Sequence, residues 1–241
     1  MGSVVEPFES ILVVYRHRLY WRPARVKVVL LAESHVFTPL EELSNTVDLS
    51  DFGFRDAPRD YVRFVYCLGY GEDATVNGRV GKNTGTWQFW KLFYACVNGV
   101  EDGEIFSLVL KNGTPNAIER IRNKLRVLTE MKRRGIWLVD SSLLALYVPS
   151  GKKADPKSMD YAITESWTSF WHEELRRLQP NHAICVGVGV HSKLKDRLSG
   201  VFSGGVSFIE QPNARLSSAG HEANLRACGE ICGRFAPSRE E

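Results

Sequence analysis

The stretch Val26-Lys27-Val28-Val29-Leu30-Leu31-Ala32-Glu33-Ser34-His35 decides the fold class. Apart from Lys27, Val26 to Leu31 is an unbroken β-branched and leucine run. A strand with one wet face alternates apolar and polar residues, whereas a continuous run needs cover on both faces, as in a mainly parallel sheet. Apolar character stops abruptly at Glu33. Similar runs occur at 136–139, ending in Asp140-Ser141-Ser142, at 183–190, and at 206–209, ending in Gln211-Pro212-Asn213. Helical patterns lie between them. One covers 7–20 and stops near Pro23, and another covers 87–97. A third, of about twenty residues, starts with Thr114 as N-cap and Pro115 at the first position and stops at Gly135. A fourth spans 161–178, and the last runs from near Ser218 to Gly233. Residues 61–69 read as a further extended, aromatic-rich segment, and 71–85 as a glycine-rich loop. The alternation predicts an α/β protein, three-layer α/β/α with a central, mainly parallel four-stranded sheet, with residues 1–241 forming a single domain.

Composition narrows the class. The 241 residues are 44% hydrophobic and 24% charged, which suits a globular chain rather than a disordered one. No apolar run approaches the ~20 residues needed to cross a bilayer, so no membrane partner is expected. Residues 1–9 lack a charged start and apolar body, so a cytoplasmic location is the expectation. Of the five cysteines, Cys67, Cys96 and Cys185 sit in apolar runs as small hydrophobes. Cys228 and Cys232, four apart on a helix, would need two more ligands to hold a metal, so neither metal nor cofactor is expected. A net charge of +3 permits a nucleic-acid partner without arguing for one. The basic clusters Arg16-His17-Arg18, Lys132-Arg133-Arg134, Lys152-Lys153 with Lys157, and Lys193-Lys195-Arg197 read as solvated faces. Those beside the carboxyl end of the sheet are the better candidates for phosphate.

In parallel α/β sheets ligands bind outside the carboxyl ends of the strands. That rule singles out 33–35, 140–142 and 211–217. Glu33 is placed to orient or deprotonate a water, and His35 to donate a proton or hydrogen bond. The structural alternative is that Glu33 caps a turn. Ser34 lacks the Gly-x-Ser-x-Gly elbow of a serine hydrolase. Asp140 reads either as a ligand group or as the cap of a following helical turn, helped by Ser141 and Ser142.

Four separated segments resemble the uracil-DNA glycosylase superfamily, in order, across about 180 of the 241 residues. Leu31-Ala32-Glu33-Ser34-His35 stands where that superfamily has its water-activating motif, Gly-Gln-Asp-Pro-Tyr or Gly-Glu-Ala-Pro-Gly. Trp87-Gln88-Phe89-Trp90-Lys91-Leu92-Phe93 is similar to its Asn-Arg-Phe-Trp-Lys helix. Trp137-Leu138-Val139-Asp140-Ser141-Ser142-Leu143 is similar to Leu-Leu-Leu-Asn-Thr-Val-Leu, and Gln211-Pro212-Asn213-Ala214-Arg215-Leu216-Ser217 to His-Pro-Ser-Pro-Leu-Ser.

The resemblance implies a monomeric, metal-independent, monofunctional DNA repair enzyme of base excision. It would flip uracil or a related deaminated base out of single- or double-stranded DNA, at a cost of a few kcal/mol, and hydrolyse the glycosidic bond. Glu33 matches the glutamate of one motif variant, while Ser34 replaces the aspartate of the other and cannot act as a base. That departure shifts the work to Glu33 or His35. Gln211 stands at the position that donates to the departing base, with His221 as an alternative donor. Asp140 stands where an asparagine reads uracil; an ionised aspartate only accepts hydrogen bonds, which points to a protonated Asp140, to a donor for O4 from elsewhere, or to another base. Tyr70 fits best as the stacking ring, with Tyr66, Phe64 and Phe54 also in range. Pro212, Asn213, Arg215, Leu216 and Ser217 form the loop that enters the DNA stack. Lys152, Lys153, His191 and Ser192 suit the phosphate backbone. The competing readings are a glycosylase for another base, a DNA- or lesion-binding member without turnover, and an unrelated nucleotide-binding α/β protein.

Overall fold

A computed structural model describes residues 6–81, 86–101, 106–147, 154–212 and 216–238. Its centre is a four-stranded parallel sheet in the order β4-β1-β5-β6. Strand β1 (Val28–Ala32) lies between β4 (Ile136–Asp140) and β5 (His182–Val186), and every residue of these three is buried. Strand β6 (Val206–Ile209) forms the edge beyond β5. The register sets Ala32 beside Asp140 and Leu31 between Val139 and Cys185. A short antiparallel pair, β2 (Thr46–Val47) and β3 (Val76–Asn77), stands apart in the 36–81 connection. The flanking helices make this the three-layer α/β/α arrangement that the apolar runs predict. Among the described residues, no helix is long and apolar enough to cross a membrane.

Helix α1 (Phe8–Tyr20) follows Pro7 and buries Ser10, Val13, Val14, His17 and Arg18. Two members of the triplet read as a solvated face therefore point inward. Arg16 alone stays out, pairing with Asp60 at 3.0 Å. Helix α2 (Trp87–Asn98) packs along α7 (Ser218–Phe235). Helix α3 (Ala117–Arg134) starts later than the Thr114-Pro115 signal suggested. Asn116 is its cap, accepting from Glu119 N at 3.1 Å, because the Thr114 hydroxyl is spent on the Ser107 carbonyl at 2.9 Å. Gly135, at φ +92°, ends α3; a Cβ there would lie 2.6 Å from the Arg25 carbonyl, so only glycine lets the chain drop into β4. Arg134, another predicted surface cation, is buried and donates to the carbonyls of Val97, Cys232 and Ala236.

Three other expectations need correction. Residues 61–69 form no strand: their buried aromatic side chains sit on successive tight turns, with Cys67 N donating to Phe64 O and Tyr70 N to Cys67 O. The third strand stops at Val186, since Gly187 at φ +114° turns the chain into α6 (Val188–Leu198). The fourth helical pattern begins earlier, at α4 (Pro156–Ser166), where Asp155 caps and Pro156 takes the first position. It then widens into a π-helical turn, Trp167–Trp171, before α5 (His172–Leu178). That turn brings both Trp167 and Trp171 into the core.

Candidate functional site

The polar segments that end β1 and β4 continue to pair after the strands stop. Ser141 N donates to Ala32 O at 2.7 Å, and Ser142 N to Glu33 O at 3.1 Å. The Ser141 hydroxyl also donates to Glu33 O at 3.0 Å, and Leu146 N donates to the Ser34 hydroxyl at 3.2 Å. These bonds fix Glu33, Ser34 and His35 against Asp140 and the chain that follows it. No helix starts within residues 141–147, so the Asp140 carboxylate caps none there; Ser142 instead closes a local turn on Leu144.

Beneath these segments runs a buried ionic chain. Arg18 Nη2 donates to Asp140 Oδ2 at 2.6 Å, with both side chains almost fully enclosed. The guanidinium lies 5.2 Å from the ring centroid of Phe64 and 5.3 Å from that of Trp171, so aromatic faces replace part of its lost hydration. His35 Nδ1 stands 3.6 Å from the same Asp140 oxygen, an ion-pair distance rather than a hydrogen bond. On its other side, His35 Nε2 meets Glu6 Oε1 at 2.8 Å. Glu6 also accepts from the Ser10 hydroxyl at 2.6 Å and from Ala145 N at 2.8 Å. Burial works to lower the His35 pKa, but the Asp140 and Glu6 carboxylates outweigh it and hold the imidazole above its ordinary value. Burial likewise pushes Glu6 up, and its bonds to His35, Ser10 and Ala145 outweigh that and lower it. With His35 protonated, two cations and two carboxylates balance in the interior. His35 is thereby engaged by two carboxylates.

A cavity of about 100 Å³ opens on this chain. Ser34, His35 and Asp140 form its polar side, and Phe64, Tyr70 and Phe89 bring aromatic rings to it. Burial raises the Tyr70 pKa, so its phenol stays neutral. Arg63 reaches the rim while held by Glu42 through two bonds of 2.8 and 2.6 Å. A dry cavity of roughly 150 Å³ accommodates benzene, so this space is on the scale of one six-membered ring.

Of the predicted site residues, Ser34, His35, Asp140 and Tyr70 share this cavity. Glu33, one residue before Ser34, does not line it; it is half-buried and accepts from the Tyr147 hydroxyl at 3.1 Å. Gln211 stands further along the sheet, where its Oε1 would lie 2.6 Å from a Cβ at Gly187. Pro212 is buried behind it, and Ser217 caps α7 by accepting from Gly220 N at 3.1 Å. Leu216 folds back on Gly220. His221 lies in the first turn of α7. His191 stacks on Phe208 at 4.7 Å between ring centroids, and the exposed Ser192 bonds the Val188 carbonyl one turn back. Asn213, Arg215, Lys152 and Lys153 lie outside the described residues. Among the other rings considered, Tyr66 accepts from Leu138 N and Phe54 packs on Trp21, both away from the cavity.

Sequence reasoning missed Glu6 and Arg18. Arg18 had a legible signal: with Ser10, Val13, Val14 and His17 it falls on one helical face, where polar residues sit among the apolar ones. Glu6 precedes the helix and carries no local sign of its role. No family model matches the sequence, and no curated protein matches it.

Proposed function

We propose that the protein is a DNA glycosylase that excises uracil or a related deaminated base. The observation that carries the reading is the one-ring cavity at the carboxyl end of β1 and β4, with Asp140 on its polar side and three aromatic rings around it. A flipped base brings a flat apolar ring with a polar edge, which is the complement of such a lining. Arg18 and His35 both meet Asp140 Oδ2, so Oδ1 is the atom left to accept the N3–H of a pyrimidine. Glu33, one residue past the end of β1 and next to Ser34, is the carboxylate for the sugar cation and the attacking water. Ser34 contributes a hydroxyl in the cavity, and Gln211 would reach the departing base only if the 211–217 loop moves toward β1.

The ion pair of Asp140 favours a second version of the same activity. A carboxylate accepts only, so a base offering adjacent N–H donors would suit it better than uracil O4 does. The cavity volume argues the other way, for a single ring.

The test is incubation with labelled single- and double-stranded oligonucleotides holding uracil, hypoxanthine or xanthine, followed by alkaline cleavage of abasic sites. Strand cleavage at uracil is expected. Retained DNA binding with no cleavage of any substrate would overturn the enzymatic reading in favour of lesion binding.

A further inference from the structure

Thr86, which lines the small cavity, also lines a second and larger cleft of about 440 Å³. That volume falls within the usual range for small-molecule sites, and the glycosylase reading makes no use of it. Its lining is cationic: Lys91, Lys111 and Lys124 all reach it. The carboxylate closest to these lysines in bonding terms is Glu72, which is already taken. Arg120 grips it through bonds of 2.8 and 2.6 Å, and Lys124 meets it at 2.6 Å. Lys91 makes no ion pair among the described residues; its ammonium instead lies 5.0 Å from the ring centroid of Trp87 and 5.3 Å from that of Phe106. Burial lowers its pKa. Among the described residues, then, Glu72 is shared by Arg120 and Lys124, and no ion pair is formed by Lys91 or Lys111.

The second feature is aromatic. Trp90, one turn's neighbour on α2, is 2% exposed, whereas Trp87 is 43% exposed at the cleft. An indole left open beside ammonium groups that form no ion pair among the described residues offers a stacking platform together with an anion site. A ligand that satisfies both carries a flat ring and a phosphate.

We infer that this cleft binds a nucleoside monophosphate unit, with Lys91 and Lys111 meeting the phosphate and Trp87 the base. The chemistry is the same for a free nucleotide and for one residue of a DNA strand. It holds whether or not the neighbouring cavity supports base excision, so the two readings can fail separately.

The full chain is titrated, by calorimetry or by anisotropy of a labelled probe, with thymidine 5′-monophosphate, thymidine, and a short uracil-free oligothymidylate. The monophosphate is expected to bind at least about tenfold more tightly than thymidine, a difference of about 1.4 kcal/mol. Lys111→Glu and Lys91→Met are each expected to weaken it about tenfold or more, and added salt to weaken it further. Lys111 is exposed, so its substitution leaves the fold intact and keeps the test valid if Lys91→Met misfolds. Oligothymidylate binding more tightly than the monophosphate, with loss in the same variants, assigns the site to a strand; equal affinity assigns it to the free nucleotide. Equal binding of thymidine and its monophosphate, no binding of any probe, or indifference to Lys111→Glu overturns the inference.

Discussion

Arg18 and Asp140 stand 122 positions apart in the chain and meet at 2.6 Å in the interior. The contact ties α1 to the end of β4 and sets the charge on the polar side of the cavity. Breaking one partner of a buried pair leaves the other without compensation, which is far costlier than the net value of the intact pair.

Arg18→Met is therefore expected to destabilise the fold by about 3–5 kcal/mol in urea unfolding. Asp140→Asn, which strands Arg18, is expected to cost a comparable amount. Arg18→Met combined with Asp140→Leu should recover much of the loss, giving a large coupling energy in a double-mutant cycle. Additive losses would mean that the two side chains act independently.

The histidines give a pH signature whose sign differs between them. His35 has a folded pKa raised above 6.5, so its contribution is complete below pH 6.5 and is lost as pH rises through the folded value. His17, buried and held down to about 4, works oppositely: its contribution grows from about pH 4 to 6.5 and is flat above. His182, also lowered, is neutral in both states above 6.5. Glu6 adds stability present above pH 4.5 and lost as pH falls through its lowered value. The urea midpoint is thus expected to fall as pH rises above about 6.5. His35→Gln should flatten that slope and also shrink the Glu6 contribution, since His35 is the main group lowering it, leaving the acid side governed mainly by His17.

Glu33→Gln keeps the side-chain volume and the acceptor for Tyr147 while removing the negative charge. Under the proposed activity, uracil excision should drop by about a hundredfold or more, with a much smaller change in affinity for a uracil-containing strand. Single-turnover cleavage and a binding titration separate the two quantities. Equal losses in both would reduce Glu33 to a binding group.

The cavity volume carries a prediction about ring size. Uracil should be excised at least about tenfold faster than hypoxanthine or xanthine, each of which has two fused rings. Phe89→Ala removes one aromatic wall and should narrow that ratio, at a stability cost of about 3–5 kcal/mol for a buried phenylalanine, less for this half-buried one. A preference for the bicyclic bases in the unmodified protein would favour the alternative drawn from Asp140.

Arg134 gathers the carbonyls of Val97, Cys232 and Ala236, at the ends of α2 and α7. Arg134→Met keeps the aliphatic stem but leaves those acceptors without a donor. A loss of at least about 2 kcal/mol in urea unfolding is expected, with excision at low temperature nearly unchanged because the site lies elsewhere.

The parts of the fold that were legible in sequence are those where burial is uniform. Strands β1 and β4 are covered on both faces, so they read as apolar runs that stop where the site begins. Strand β5 read too long because Val188 and Val190 continue the apolar pattern into α6, and only the positive φ of Gly187 separates the two. Residues 61–69 are buried without a strand partner, a state that composition does not distinguish from a strand. Ser34, His35 and Asp140, which line one cavity, were legible as a group because each lies at or just past a strand end, whereas Tyr70, which joins them, sits among the turns before Gly71. The distance of Gln211 from that cavity follows from sheet order, which places β5 between β1 and β6. Glu6 was hidden because it precedes α1, and although the inward face of Arg18 was legible in the periodicity of that helix, its partner 122 positions away was not.

The order β4-β1-β5-β6 also has a consequence for biosynthesis. The strand made first is an interior one, and neither lateral neighbour exists until Ile136 and then His182 have left the ribosome. For most of translation Val28-Val29-Leu30-Leu31-Ala32 therefore presents two open edges and two apolar faces. Such a nascent segment invites mispairing and chaperone capture, and this cost of placing Glu33 and Ser34 at the middle of the finished sheet falls on the growing chain.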